Sequence, residues 1–343
     1  MKIKTDNYEI YNGDCLEIMR GMADNSVNLI LIDPPYNISK ATWDKWKTVV
    51  DYVEFMGEVF KECERVLKPN GSFYFFHNDF LQIVELQNWL NKNSGFIFRQ
   101  LLVWNKRFDG GRLKSYLDGH CAINDIRNYK QMCEYCLYYT FQDGSGLEKI
   151  KSDVNNFKPL RNYFESIQKE LGVTKKTIID KIGQSADHCF RWNSAQWDLP
   201  TEETYNKLIE VFEIDKLECS QTHEGLKKGY DGLRREYESL RYTFNNQKLH
   251  HSVMNYDVAP KQGHITPKPV DLLEYLINTS SNAGDVVLDC FMGSGSTGVA
   301  CINTDRKFIG IELDDKYFEI SKSRLNEAVE KKEELLKVFD KNN

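Results

Sequence analysis

Three short stretches of this chain combine residue types that can do chemistry on a flat, polar ligand. The first is Asp33-Pro34-Pro35-Tyr36, directly after the apolar run Ser26–Asp33. Two prolines stiffen the backbone and fix where its carbonyls point. The Asp33 carboxylate and the Pro34 carbonyl could both accept hydrogen bonds from one NH2 group, and the Tyr36 ring could stack on a heterocycle. The second is Asp289-Cys290-Phe291-Met292-Gly293-Ser294-Gly295-Ser296-Thr297, where glycines allow close backbone approach to a ligand. Glu312 follows at the end of the next apolar run, the position at which a nucleoside-binding sheet holds ribose hydroxyls. The third is Asn12-Gly13-Asp14-Cys15, which alone reads as an ordinary turn.

The elements that must hold these stretches follow from periodicity. Tyr8–Asn12, Ser26–Asp33, Ser72–Phe76, Phe96–Trp104, Glu134–Phe141, Asp285–Asp289 and Lys307–Glu312 read as strands. Asp51–Leu67 has apolar residues at helical spacing and is stopped by Lys68-Pro69-Asn70-Gly71. Phe80–Asn91, Thr297–Ile302 and a charged terminal stretch, Asp315–Val338, also read as helices. Strands alternating with helices predict an α/β fold, a sheet with helices on both faces. The polar stretch 142–250 is different. Helices are expected at Leu160–Leu171, Thr174–Ile182, Ser185–Gln196 and Thr201–Phe212. The segment 160–212 is similar to a helix-turn-helix unit in which Arg191, Asn193 and Gln196 would face DNA. A supporting helical hairpin is the competing reading.

Composition sets bounds. The chain has 343 residues, 41% hydrophobic and 28% charged, with a formal net charge of −6. That balance argues against a basic nucleic-acid coat protein, though a DNA-binding enzyme needs only a local groove. No run of about 18 apolar residues suggests a membrane span, and the first residues lack the core of a signal peptide, so a cytoplasmic location is expected. The nine cysteines are scattered, as suits a reducing compartment. Cys133-x-x-Cys136 is a single pair without a second, and apolar packing is the favoured reading over zinc. No metal site is expected.

Together the three stretches resemble the DNA amino-methyltransferase family, which has a DPPY catalytic loop and an F-x-G-x-G cofactor loop. The catalytic loop comes first here, as in the permuted β group. The resemblance covers 1–141 and 251–325 and includes His264–Pro269. It implies a Rossmann-like S-adenosylmethionine-dependent methyltransferase sheet, mostly parallel with one antiparallel strand, built from 1–141 and 251–343. The region 142–250 would be a mainly helical insertion that recognises the target. The resemblance places Asp33, Pro34, Pro35 and Tyr36 in catalysis. It places Asp14, Thr266, Lys268, Asp289, Phe291, Gly293, Gly295, Thr297 and Glu312 at S-adenosyl-L-methionine. Lys106, Arg107, Arg112, Arg191, Asn193 and Gln196 are the expected DNA contacts. The implied reaction is methylation of the N6 amine of adenine in double-stranded DNA, with the N4 amine of cytosine as the alternative. A homodimer and a cognate restriction endonuclease are conceivable partners. A helix-turn-helix regulator with an inactive core is a reading of another class, disfavoured by the intact Asp33, Tyr36 and Gly293. A nicotinamide dehydrogenase would leave Asp33–Tyr36 unexplained.

Overall fold

The computed structural model describes residues 1–38, 44–111, 131–141, 157–191, 194, 196–239, 243–245, 251–260 and 267–340. Arg112, Asn193 and Thr266 lie outside them. The chain divides into two units, Met1–Asp143 with Tyr242–Asn343, and Gly144–Arg241.

The first unit is built on a sheet with nine strands among the described residues. They are β1 (Lys2–Lys4), β2 (Tyr8–Asn12), β3 (Val27–Ile32), β4 (Leu67–His77), β5 (Ile97–Asn105), β6 (Cys133–Thr140), β7 (Val253–Asn255), β8 (Val286–Asp289) and β9 (Lys307–Glu312). Their spatial order is β1-β2-β9-β8-β3-β4-β6-β5-β7. The central strands are parallel. As expected of one strand, β6 runs antiparallel, between β4 and β5. A second antiparallel strand, the short β1, borders β2 and was not anticipated.

Burial on both faces explains the continuous apolar run of β3, whose Val27, Leu29, Ile30, Leu31 and Ile32 are almost fully inaccessible. One face is covered by α1 (Cys15–Arg20), α2 (Val49–Val66) and α3 (Phe80–Asn93). Helix α2 starts at a capping box between Thr48 and Asp51 and buries Tyr52, Met56, Val59, Phe60, Cys63 and Val66 at helical spacing. Each such large apolar side chain contributes about 1.5–3 kcal/mol. Lys68-Pro69-Asn70-Gly71 was expected to separate helix from strand. Instead β4 starts at Leu67, and the pairing slips between Val27↔Leu67 and Leu29↔Ser72, so these four residues bulge out of the ladder. Cys133 and Cys136 sit at positions of opposite parity on β6 and project to opposite faces, which rules out a shared metal.

The second unit holds α4 (Lys158–Leu171), α5 (Lys175–Ile182), α6 (Glu202–Phe212) and α7 (His223–Ser239). Its core includes Phe164, Ile178, Phe190, Trp197, Tyr205 and Leu226. Among the described residues of Ser185–Gln196 the expected α-helix is absent. Gly183, at φ 103°, ends α5, and two 3-10 turns follow, Gln184–Ala186 and His188–Phe190. Ala186, Cys189 and Phe190 all turn into the core, and the Cys189 carbonyl accepts the Trp197 indole N–H at 3.0 Å.

The other face of the sheet in the first unit carries α8 (Val270–Ser280), α9 (Ser296–Asn303) and α10 (Asp315–Asp340). Among the described residues no helix is long and apolar enough to cross a membrane.

A hydrogen-bond relay ties β4 to the segment after β3. The His77 Nδ1 accepts the Asp79 N–H at 3.1 Å, which places the ring proton on Nε2. That N–H donates to the Tyr52 hydroxyl at 3.0 Å, and Tyr52 donates to the Pro35 carbonyl at 2.7 Å. Burial depresses the pKa of His77 to about 4. The neutral ring therefore adds stability that is complete above about pH 6.5 and is lost as pH falls through 4. Replacing His77 with glutamine should flatten this part of the profile. Urea unfolding should show wild-type protein losing about 3 kcal/mol more than H77Q between pH 6.5 and 4. Parallel profiles would contradict the relay.

Candidate active site

The strand order reverses between β3 and β8. From β3 the chain crosses through α2 to β4 on one side, and from β8 through α9 to β9 on the other. Beyond the carboxyl ends of such a pair the crossovers diverge and leave a crevice. Here it is a cavity of about 300 Å³. The segments after β3 and after β8 both line it, as do Asp14, Glu134, Lys268 and Glu312.

One half of the cavity carries three carboxylates at strand ends. Asp289 ends β8 and is fully buried. Its Oδ1 accepts the Phe291 N–H at 3.0 Å and its Oδ2 the Thr297 hydroxyl at 2.6 Å. Burial pushes its pKa up to about 7. Glu312 ends β9, accepting the Gly293 N–H at 2.8 Å on Oε2 and the Asp314 N–H at 2.8 Å on Oε1. Burial raises its pKa as well. Asp14 follows β2 and caps α1 by accepting the Glu17 N–H at 3.0 Å. Gly293 and Gly295 both take left-handed backbone, and a Cβ on Gly295 would meet Ser321 at 3.0 Å. Phe291 faces Phe55 of α2 across 6.4 Å between ring centroids. Carboxylate acceptors with spare lone pairs, an apolar ring pair and a tight glycine turn fit a nucleoside with ribose hydroxyls.

The other half is built by Asp33–Tyr36. Asp33 is the more open member, with its side chain 26% exposed. Its Oδ1 accepts the Tyr36 hydroxyl at 2.5 Å, and its Oδ2 meets the Lys268 ammonium at 2.5 Å. Tyr36 is only 7% exposed, packs against the His77 ring at 4.8 Å, and has a pKa raised far above its ordinary value by burial. Its backbone carbonyl accepts the Gln82 amide at 3.1 Å. Past it, Asn37 takes a left-handed conformation, and the buried Asp44 accepts the Asn37 and Ile38 N–H groups at 2.6 and 3.3 Å. The segment is thus fixed from three sides.

Most residues singled out from the sequence converge on this cavity, and two lysines among them have partners that the sequence alone does not show. Lys268, expected at the cofactor, has its ammonium beside Asp33 and 3.1 Å from Glu134. Lys106, expected on DNA, pairs with Glu134 and lies 4.7 Å from the Trp104 ring centroid. In the helical unit Arg191 pairs with Asp187, which also binds Lys175 at 2.6 Å, and Arg191 donates to Gln196. Arg107 is exposed. Sequence reading missed Glu134, Asp44, Trp46 and Phe55, all of which line the cavity. Only Glu134, a carboxylate at the start of an otherwise apolar strand, left any signal.

Comparisons with known proteins agree with the geometry. The chain aligns at 27% identity over 319 residues with the type II methyltransferase M1.MboII of Moraxella bovis, covering 93% of this chain and 96% of that one. It is 26% identical over 344 residues to the DNA adenine methyltransferase YhdJ of Escherichia coli, with 96% and 86% covered. Among solved structures, the M1.HpyAVI–SAM complex shares the fold at a TM-score of 0.50 and 19% identity, over 93% of this chain and 99% of that one. A model of the N6/N4 family, described as DNA methylase, matches residues 27–323. With both strand-end segments inside that match, the chain belongs to the N6/N4 DNA methylase family.

Proposed function

We propose that the protein methylates the N6 amine of adenine in double-stranded DNA, with S-adenosyl-L-methionine as donor. The observation that carries this reading is the half-open Asp33 carboxylate in the same cavity as the Glu312, Asp14 and Asp289 strand ends. The adenine assignment is further supported by the similarity to YhdJ, a DNA adenine methyltransferase.

When bound, the donor supplies an electrophilic methyl group on a sulfonium. Glu312 and Asp14 would accept hydrogen bonds from its ribose and adenine, and Phe291 with Phe55 would flank its base. A target base stacked in a duplex must leave the helix first, at a cost of a few kcal/mol. Asp33 and the Pro34 carbonyl then accept hydrogen bonds from the two amine N–H groups. This orients the nitrogen lone pair toward the methyl group and stabilises the positive charge that grows on the amine. One proton is released after the methyl group has moved from sulfur to nitrogen. Tyr36 orients Asp33 through its hydroxyl. Its ring is largely covered, so stacking on the target requires the ring to be exposed further. We infer that the helical unit, in which Lys149–Arg191 holds nine Lys/Arg against five Asp/Glu, selects the DNA sequence.

Three outcomes are expected. Asp33→Ala should slow methylation by roughly 10²–10³-fold while leaving S-adenosylmethionine binding by calorimetry unchanged. Turnover close to wild type would sink the mechanism, and N4-methylcytosine in place of N6-methyladenine by mass spectrometry of digested DNA would overturn the base assignment alone. Asp14→Asn keeps a good helix cap while removing a charge, and Glu312→Gln is its counterpart on β9. Each should weaken donor binding by about 1.5–3 kcal/mol, and unchanged affinity in both would mean that the donor site lies elsewhere. Finally, R191A/Q196A should relax the methylated sequence motif in whole-genome mapping. An unaltered motif would show that this part of the helical unit does not read DNA.

A further inference from the structure

The catalytic segment carries a charge system that amine methylation by Asp33 alone does not need. The Lys268 ammonium has three N–H donors and three oxygen neighbours. They are Asp33 Oδ2 at 2.5 Å, Glu134 Oε2 at 3.1 Å and the Tyr36 hydroxyl at 3.1 Å. Glu134 pairs on its other oxygen with Lys106. The four charges alternate, and both Lys268 and Glu134 are buried. The Lys268 ammonium is also packed among the rings of Tyr36, Phe76 and Trp104, with centroids at 5.4, 5.0 and 5.9 Å. Burial disfavours both charges, yet attraction to Asp33 and Glu134 keeps Lys268 above its ordinary pKa, and attraction to Lys268 and Lys106 keeps Glu134 below the usual carboxylate range. Buried ion pairs of this kind stabilise a fold no better than apolar side chains of similar size. Their presence at a catalytic mouth therefore points to function.

The chemistry gives the reason. Positive charge grows on the target amine beside Asp33, and an ammonium at 2.5 Å would cancel much of what Asp33 offers. Glu134 takes a share of that ammonium and returns a negative charge to the site. We propose that Glu134 is a positioning residue for methyl transfer, acting through Lys268 to leave Asp33 free as an anionic acceptor. The proposal rests on the amine-methylation reading above. It extends that reading to a residue on β6, remote in sequence from both signature segments.

The test compares Glu134→Gln and Glu134→Asp with wild-type protein. Readouts are thermal melting, kcat and KM for duplex DNA, and the binding of S-adenosylmethionine against its uncharged product S-adenosylhomocysteine. E134Q leaves Lys268 less compensated. It should lower kcat by about tenfold or more with little change in KM. It should also weaken the sulfonium ligand more than the thioether ligand, a charge-selective change that loss of packing does not produce. E134D keeps the charge and should retain both the discrimination and part of the rate. Wild-type kcat in E134Q overturns the proposal, as does a rate loss accompanied by equal weakening of both ligands and collapse of the melting temperature. If E134Q does not fold, E134D decides: a lowered kcat with discrimination intact supports the role, and an unchanged kcat overturns it. Wild-type protein that methylates no DNA amine would instead overturn the underlying reading.

Discussion

The parallel pairing of β3 with β8 is the contact on which the site depends. Leu29 faces Val287 and Ile30 faces Leu288, and the two strands deliver Asp33 and Asp289 to the same edge of the sheet. Each crossover then leads away, so the crevice between them needs no special loop to hold it open. Everything else at the site refines this placement. The Tyr52 and Asp44 contacts fix the segment after β3, and the Glu312 and Thr297 contacts fix the segment after β8.

Electrostatics divides the cavity into two different halves. Around Asp289 and Glu312 the carboxylates accept backbone N–H or hydroxyl groups and have raised pKa values, because burial is opposed only by neutral donors. Around Asp33 and Glu134 the carboxylates are answered by two lysines. A nucleoside-sized ligand suits the first environment. The second suits a reaction in which charge moves onto an amine. A single lining thus holds two electrostatic environments.

Much of this was legible in the residues themselves. Continuous apolar runs ending in Asp33 and Glu312 announced buried parallel strands, and the prolines and glycines after them marked segments whose backbone had to take one shape. What stayed hidden depended on distance through space. Glu134 carries no motif, and its meaning comes from Lys106 and Lys268, which the sheet brings to it. Lys268 drew attention through its neighbours in sequence, but its pairing with Glu134 on β6 could not be read there. Over the described part of Ser185–Gln196 two 3-10 turns replace the expected helix, following Gly183, whose backbone at φ 103° ends α5. β1 and β7, at three residues each, are too short for any periodicity to register.

The order of strands has a bearing on how the chain comes to fold. β2 and β3 follow each other in sequence, yet β9 and β8 stand between them in the sheet. During synthesis about the first five sixths of the chain emerge without the strands that fill this gap. The facing edges of β2 and β3 must wait, with open backbone donors and acceptors, until residues beyond 285 leave the ribosome. Pairings of such long sequence separation are slow to form and expose the intermediate to aggregation. The growing polypeptide therefore passes through a stage in which the β3–β4–β6–β5 half of the sheet can assemble while the half containing β8 and β9 cannot. Chaperone dependence and truncation sensitivity should concentrate in that interval.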